Sequence, residues 1–513
     1  MLGLVGKQTR LFLLGSTFLA AWMGCLCAVG SPAFAEDGLH VGVAQVEITP
    51  PLGFPMAGYY HERLATGTID PLWAKAVYFR NGKTESAWVV CDLTGVSADL
   101  SSAVRKQVHE KTGIPVEHLV VSGTHSHTAP DYYRSLYQFL GPPEELKTDI
   151  DRQRAAYAGE LISHIAQAIN DARTAAQPVQ LRSGSVTQET QVSYCRRSVM
   201  QDGSVRTWVG LKHPQAIRSA APIDPEIGLI EILNAQGDAP TGLISNFALH
   251  LDTTGGMLWS ADYPYAIEQM VHKSLGSNVI SLFGTGCCGD INHADPMGQA
   301  RRKSTEIGKA LGTTIVAAIP QLSPVKNSRL QVRHRAVPLL LEEVTPAEVQ
   351  QSLELIKMVN AGQKIDFYDH VLAYKRLALD QLTHQTPHPE SGGLISLGIS
   401  RSLKGVGATL PTEVIVMTVG ADVALVFLPG EIFSELGMSI KKASPFRTTL
   451  VVELSNYVES IYIPNRHAYV GGGYEPTNSL VQPGSGEKLV EAAVSLLRES
   501  ATDLVREAAA SSR

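Results

Sequence analysis

His118-Leu119-Val120-Val121-Ser122-Gly123-Thr124-His125-Ser126-His127-Thr128 joins an apolar run to a polar loop carrying two histidines. The run His118–Ser122 reads as a strand, being short and β-branched at its centre. A strand end can present a short polar loop into a crevice while the strand holds it rigid. If the extended geometry persists past Gly123, His125 and His127 project to the same side, because strand side chains alternate. Imidazoles two apart can both bind one metal, or one can bind while the other handles a proton. The alternative is a pair of hydrogen-bonding loop histidines.

The same strand-to-loop arrangement recurs further along. Asn246-Phe247-Ala248-Leu249-His250 is an apolar stretch closed by a histidine, and Leu428-Pro429-Gly430-Glu431 delivers a carboxylate. Glu431 is suited either to oxygen ligation or to capping the helix that follows. The spacing of these groups matches no compact helical zinc motif, so they form a site only if the fold gathers several strand ends.

Strands are predicted at Lys75–Phe79, Ala87–Asp92, Ile227–Leu233, Val414–Val419, Val423–Leu428 and Thr449–Leu454. Helices are predicted at Ser97–Thr112, Asp149–Thr174, Tyr263–Leu275 and Met297–Ile319, with Tyr157, Leu161, Ile165 and Ile169 recurring on one face of the second. Thr345-Pro346-Ala347-Glu348 combines an N-cap, a first-turn proline and a capping-box glutamate, opening a helix to about Val359. The class is therefore α/β with a mixed sheet. A catalytic body to about residue 335 is expected to be completed by elements of the last hundred residues, with a loop at 392–398.

Lys7 and Arg10, the apolar run Leu11–Val29 and Ala33-Phe34-Ala35 read as a secretory signal peptide spanning residues 1–35. Trp22-Met23-Gly24 is a poor approach to a lipoprotein Cys25. Without the leader, residues 36–513 carry 41 basic and 49 acidic side chains, a formal charge of −8. That balance offers no basic field for nucleic acid, and no second membrane-spanning candidate follows. Cys91, Cys195, Cys287 and Cys288 remain. Export permits disulfides, and one or both of Cys287 and Cys288 could pair with distant cysteines, with a connectivity the sequence does not give.

The ordered segments Met56-Ala57-Gly58-Tyr59, Thr124–Thr128, Asn246–His250, Gly289-Asp290, Leu428–Glu431 and Asn456 through Glu475 resemble the neutral, or alkaline non-lysosomal, ceramidase family. The resemblance spans roughly residues 40–490. It implies a neutral-ceramidase-like catalytic domain, here without the family's C-terminal immunoglobulin-like domain. It also implies a Zn2+ site whose ligands correspond to His125, His250, Glu431 and Tyr462, with Tyr457 a rival for the tyrosine. His127 corresponds to a second histidine beside the reacting group. Arg197 corresponds to a substrate-pocket arginine, with Arg196 adjacent. The family's proposed catalytic serine falls at Asn292 in Gly289-Asp290-Ile291-Asn292-His293, and asparagine supplies no alkoxide. Asp290 either positions a reacting group or braces the glycine turn.

The resulting expectation is an exported, periplasmic or secreted zinc hydrolase of an amide bond. Its partner is a small-molecule or lipid substrate, and a lipid would require transient contact with a membrane surface. A related metallohydrolase acting on a smaller amide or ester, and an exported binding protein with a structural metal, are the competing classes.

Overall fold

A computed structural model describes residues 38–61, 63–130, 148–298, 301–384 and 399–511. The leader and the loop read at 392–398 lie outside them. One local arrangement occurs three times. The hairpin Trp73–Asn81/Thr84–Cys91 is followed by the helix Ala98–Thr112 and by Leu119–Gly123, which runs parallel to the hairpin's second strand. Glu226–Asn234/Pro240–Phe247, the helix Tyr263–Leu275 and Ile280–Thr285 repeat the order. Thr409–Val419/Val423–Phe427, the helix Ser434–Ala443 and Thr448–Val452 repeat it again. Parallel pairing requires a crossover, and each helix supplies it. The parallel strands therefore end level: Cys91 faces Gly123, Phe247 faces Thr285, and Phe427 faces Val452.

The first two units join through Leu39–Glu47 and Gln177–Thr187 into a nine-stranded mixed sheet. The third unit, with Leu330–Leu340, makes a four-stranded sheet. Side-chain alternation gives each sheet two apolar faces. Val77, Trp88, Val120 and Ile244 of the large sheet meet Ile415, Met417, Leu425 and Leu450 of the small one. On the outer face of the large sheet, Tyr157, Leu161, Ile165 and Ile169 pack with Leu100 and Val104, as the helical periodicity requires. Leu436, Ile440, Leu489 and Leu496 cover the outer face of the small sheet. The architecture is four layers: helices, sheet, sheet, helices.

Local signals fix several boundaries. Ser97 Oγ accepts from Leu100 N, and Gly113 (φ 78°) ends the first helix in the left-handed region. The Thr345 capping box opens Pro346–Asn360. The helix expected from Met297 instead begins at Ser304, because Glu306 reaches back to Lys303 N and sets its first turn.

Two further expectations are corrected. The strand geometry does not persist to the histidines: Leu119–Gly123 is the last extended segment, and His125 has φ 78°. Cys91, Cys195, Cys287 and Cys288 are all free and buried, with no disulfide among them. Cys287 is packed against Gly437, and Cys288 Sγ instead donates to Glu453 Oε1 at 3.0 Å.

Candidate metal centre

The level strand ends are tied directly to one another. Thr285 Oγ1 donates to Thr124 O (2.7 Å), Glu453 N to Thr285 O (3.0 Å) and Gly123 N to Leu454 O (3.2 Å). Backbone strain collects here: His125, Leu454, Asn456 and Ile461 all have positive φ without being glycine. Each conformation is held by neighbours; for example, His125 N donates to Leu93 O, and Asn456 Oδ1 accepts from Val121 N. Gly430, also at positive φ, has the Ser460 hydroxyl where a Cβ would lie, so only glycine can make the turn that presents Glu431.

His125, His127 and His250 gather so that one ligand atom from each lies within 4.8 Å of the others. His125 Nδ1 is held by Thr94 O at 2.7 Å and His250 Nδ1 by Cys288 O at 2.8 Å. Both rings therefore turn Nε2 inward. Glu431 Oε2 lies 3.4 Å from His125 Nε2 and 3.2 Å from His250 Nε2, yet it is buried with no aligned hydrogen-bond partner among the described residues. Neighbouring ligands on a tetrahedral zinc with bonds of about 2.0–2.1 Å stand about 3.3–3.4 Å apart. The donor set, the carbonyl-held imidazoles and the unpartnered carboxylate oxygen fit a divalent cation. Tyr462 adjoins it, since Glu431 and Tyr462 are registered neighbours on paired short strands. Tyr457 packs beside the small-sheet core instead.

The same groups are coupled electrostatically. Burial would raise the Glu431 carboxyl, but the adjacent His125 and His250 imidazoles hold it well below the usual range. Burial opposes protonation of His125, yet Glu431 raises it overall. His250 is pushed down to about 3 by burial, Arg196 and His125. His127 falls to about 4, chiefly by burial. Burial and Glu431 push the Tyr462 phenol well up, against the opposing pull of Arg196.

The adjacent arginines separate. Arg196 enters the centre: it donates to His250 Nε2 (3.1 Å), Tyr462 Oη (3.1 Å), Gly289 O (2.8 Å) and Glu475 Oε1 (2.7 Å). An ion on His250 Nε2 requires Arg196 to release that one contact while keeping the others. Arg197, the residue expected in the pocket, turns to Glu475, Gly472 O and the Phe433 ring. It starts the strand Arg197–Met200, and consecutive strand residues face opposite sides.

Asp290 braces a turn: its Oδ1 accepts from Ser434 N, and its carbonyl accepts from Arg196 N. Asn292 Oδ1 is committed to Ala294 N at 3.0 Å. His125, His127, Glu431 and Tyr462 line a pocket together with Tyr59, Tyr60, Tyr374 and Tyr474 and the aliphatic Val458, Ile461, Ile399 and Leu480. Asn292 is not among the residues that line it. Asp252, which sequence reading passed over, sits beside His127 and accepts from Tyr59 Oη. Its one signal was an acidic residue two positions after a strand-end histidine.

No protein-family model matches the chain, and no curated protein does. Among solved structures, the neutral ceramidase from Pseudomonas aeruginosa superposes with a TM-score of 0.64 at 18% identity, over 90% of this chain and 75% of that one. A ceramidase complexed with C2 superposes with the same TM-score and identity, over 76% of its length. The chain therefore has the neutral-ceramidase fold. Among the described residues, no helix is long and apolar enough to cross a membrane.

Proposed function

We propose that the chain is an exported zinc-dependent hydrolase that cleaves the amide bond of an N-acylated lipid such as a ceramide. The observation carrying this reading is the meeting of two inward Nε2 atoms and a buried carboxylate oxygen beside a pocket that His125 and Glu431 line together with tyrosine and aliphatic side chains. His125, His250, Glu431 and Tyr462 would hold the ion. When bound, it would supply Lewis-acid polarisation of a carbonyl and activation of water.

The chain's own groups then divide the remaining work. The tyrosine and aliphatic walls take an acyl chain and exclude solvent from the reacting carbonyl. Arg196 does not line the pocket itself; it lies behind His250 and Tyr462 and remains charged there, because against its burial Tyr462, Glu475 and Glu431 favour the cation. Its Nη1, released from His250 Nε2 by the ion, would be the donor left for negative charge developing on the carbonyl oxygen, while Nη2 keeps Gly289 O and Tyr462. His127 Nε2 faces the same centre, 3.3 Å from His125 Nε2, and is suited to take a proton from water and return it to the leaving amine. With Asn292 bound to its own loop, the nucleophile is water rather than a side chain.

Asn292 also favours a second reading, a related hydrolase of smaller amides or esters. Metal analysis of the purified protein should find about one zinc per chain. Hydrolysis of a ceramide should be compared with that of short N-acyl amines and esters. Dominant ceramide turnover supports the first reading and dominant short-substrate turnover the second. Retention of no zinc, or no hydrolysis of any amide or ester, refutes both.

A further inference from the structure

The three clustered histidines are not supported alike. His125 and His250 each have Nδ1 tied to a backbone carbonyl, Thr94 O and Cys288 O. A carbonyl accepts one proton and fixes one tautomer, the usual support for a metal-ligating imidazole. His127 Nδ1 instead is buried, has no hydrogen-bond partner among the described residues, and lies 3.9 Å from Asp252 Oδ1. We infer that Asp252 and Tyr59 are positioning residues that set the tautomer and ring direction of His127, distinguishing it from its two ligand neighbours. This rests on the reading that His127 handles the proton in amide cleavage.

The His127 main chain is held in place, and its ring is packed against Gly58 on one side. His127 N donates to Leu251 O at 3.0 Å, and Arg63 donates to His127 O, so the main chain is held from both sides. A Cβ on Gly58 would lie 2.6 Å from His127 Nδ1; glycine at that position, at φ 96°, makes room for the imidazole. Tyr59 Oη donates to Asp252 Oδ1 at 2.8 Å, and the Arg63 guanidinium lies 4.2 Å over the Tyr59 ring. The carboxylate oxygen facing His127 is therefore itself aimed.

A shift of about 1 Å brings Nδ1 and Oδ1 into hydrogen-bond range, and such contacts commonly tighten on substrate binding. With Nδ1–H directed at Asp252, Nε2 is left as an acceptor toward the centre, which requires the His125 Nε2 lone pair, 3.3 Å away, to be taken up by the ion.

Asp252→Asn should lower kcat about 100-fold, leave KM within about threefold and leave zinc content unchanged. Asp252→Glu, whose longer arm spans the same gap, should recover about tenfold of that loss, and Tyr59→Phe should cost about tenfold. Nitrogen NMR of histidine-labelled protein gives a readout independent of turnover. His127 should be Nδ1-protonated in the wild type and shift toward the Nε2–H form in Asp252→Asn. Absence of amide hydrolysis in the wild type would defeat the proposed function but leave this readout standing. The inference is overturned if Asp252→Asn keeps both the tautomer and kcat within threefold, or if its activity falls in proportion to lost zinc.

Discussion

Replacing Arg196 and Arg197 separately by methionine tests the geometry of the centre most directly. Both arginines are buried, and both contact the fully buried Glu475, at 2.7 and 3.2 Å. Either substitution leaves Glu475 with one arginine and the hydroxyl of Thr207, which donates to it at 2.9 Å. Breaking a buried charge pair from one side costs about 3–5 kcal/mol, so the two variants should lose similar stability in denaturant titration. Activity should separate them. Only Arg196 contacts His250 and Tyr462, each at 3.1 Å. Loss of one donor at a developing oxyanion typically costs about 100- to 1000-fold, or about 2.7–4 kcal/mol. Measured per bound zinc on a soluble N-acyl substrate, kcat/KM should fall by that factor in Arg196→Met and by less than about threefold in Arg197→Met. Equal losses in the two variants, or Arg196→Met within threefold of wild type, would refute the assignment and show that shared destabilisation explains the effect.

Two further outcomes are expected. Tyr462→Phe should weaken zinc retention about tenfold in chelator competition while Tyr457→Phe leaves it unchanged; the reverse order would restore the rival tyrosine. Glu459 accepts from Ala98 N and the Ser400 hydroxyl in a fully buried setting, and burial raises its carboxyl from 4.5 to about 7. The native state therefore keeps a proton that the unfolded chain releases, and stability falls as pH rises from about 4.5 to 7, by roughly 3 kcal/mol from this group. Asp92, raised to about 7, and Asp70, raised to about 6, slope the same way. The informative quantity is thus the wild type minus Glu459→Gln, which should carry the Glu459 portion; a zero difference across that range would remove it.

Periodicity made the long elements readable. Asp149–Thr174 and Tyr263–Leu275 fall where their apolar spacing puts them, and Ser97 and Thr345 cap where their side chains allow. Three parts of the site were not readable in the same way. The pairing of His125 with His127 was expected from strand alternation, but a left-handed turn at His125 produces it, and nothing local in Thr124-His125-Ser126 announces that φ. The choice between Arg196 and Arg197 depends on which face of a short strand meets the centre, and a two-residue period has no absolute phase in sequence. Asp252 belongs to the site because of Tyr59, 193 positions earlier in the chain, a contact that no window of residues contains.

The threefold arrangement explains how side chains so far apart in sequence make one centre. Each hairpin–helix–strand unit opens two loops on the same edge, one after the second hairpin strand and one after the parallel strand. In the first unit one loop carries His125 and the other provides Thr94 O, which holds its Nδ1. In the second, one carries His250 and the other provides Cys288 O for its Nδ1. In the third, Glu431 comes from one loop, while Glu453 in the other accepts from the adjacent Ile432 N at 2.7 Å. Each ligand's immediate support is thus internal to its own unit. The distances between ligands depend instead on how the units pack, through the Thr285–Thr124, Glu453–Thr285 and Gly123–Leu454 bonds and the layer around Trp88. Changes in that layer should therefore alter the spacing of the ligands before they alter the aim of any one of them.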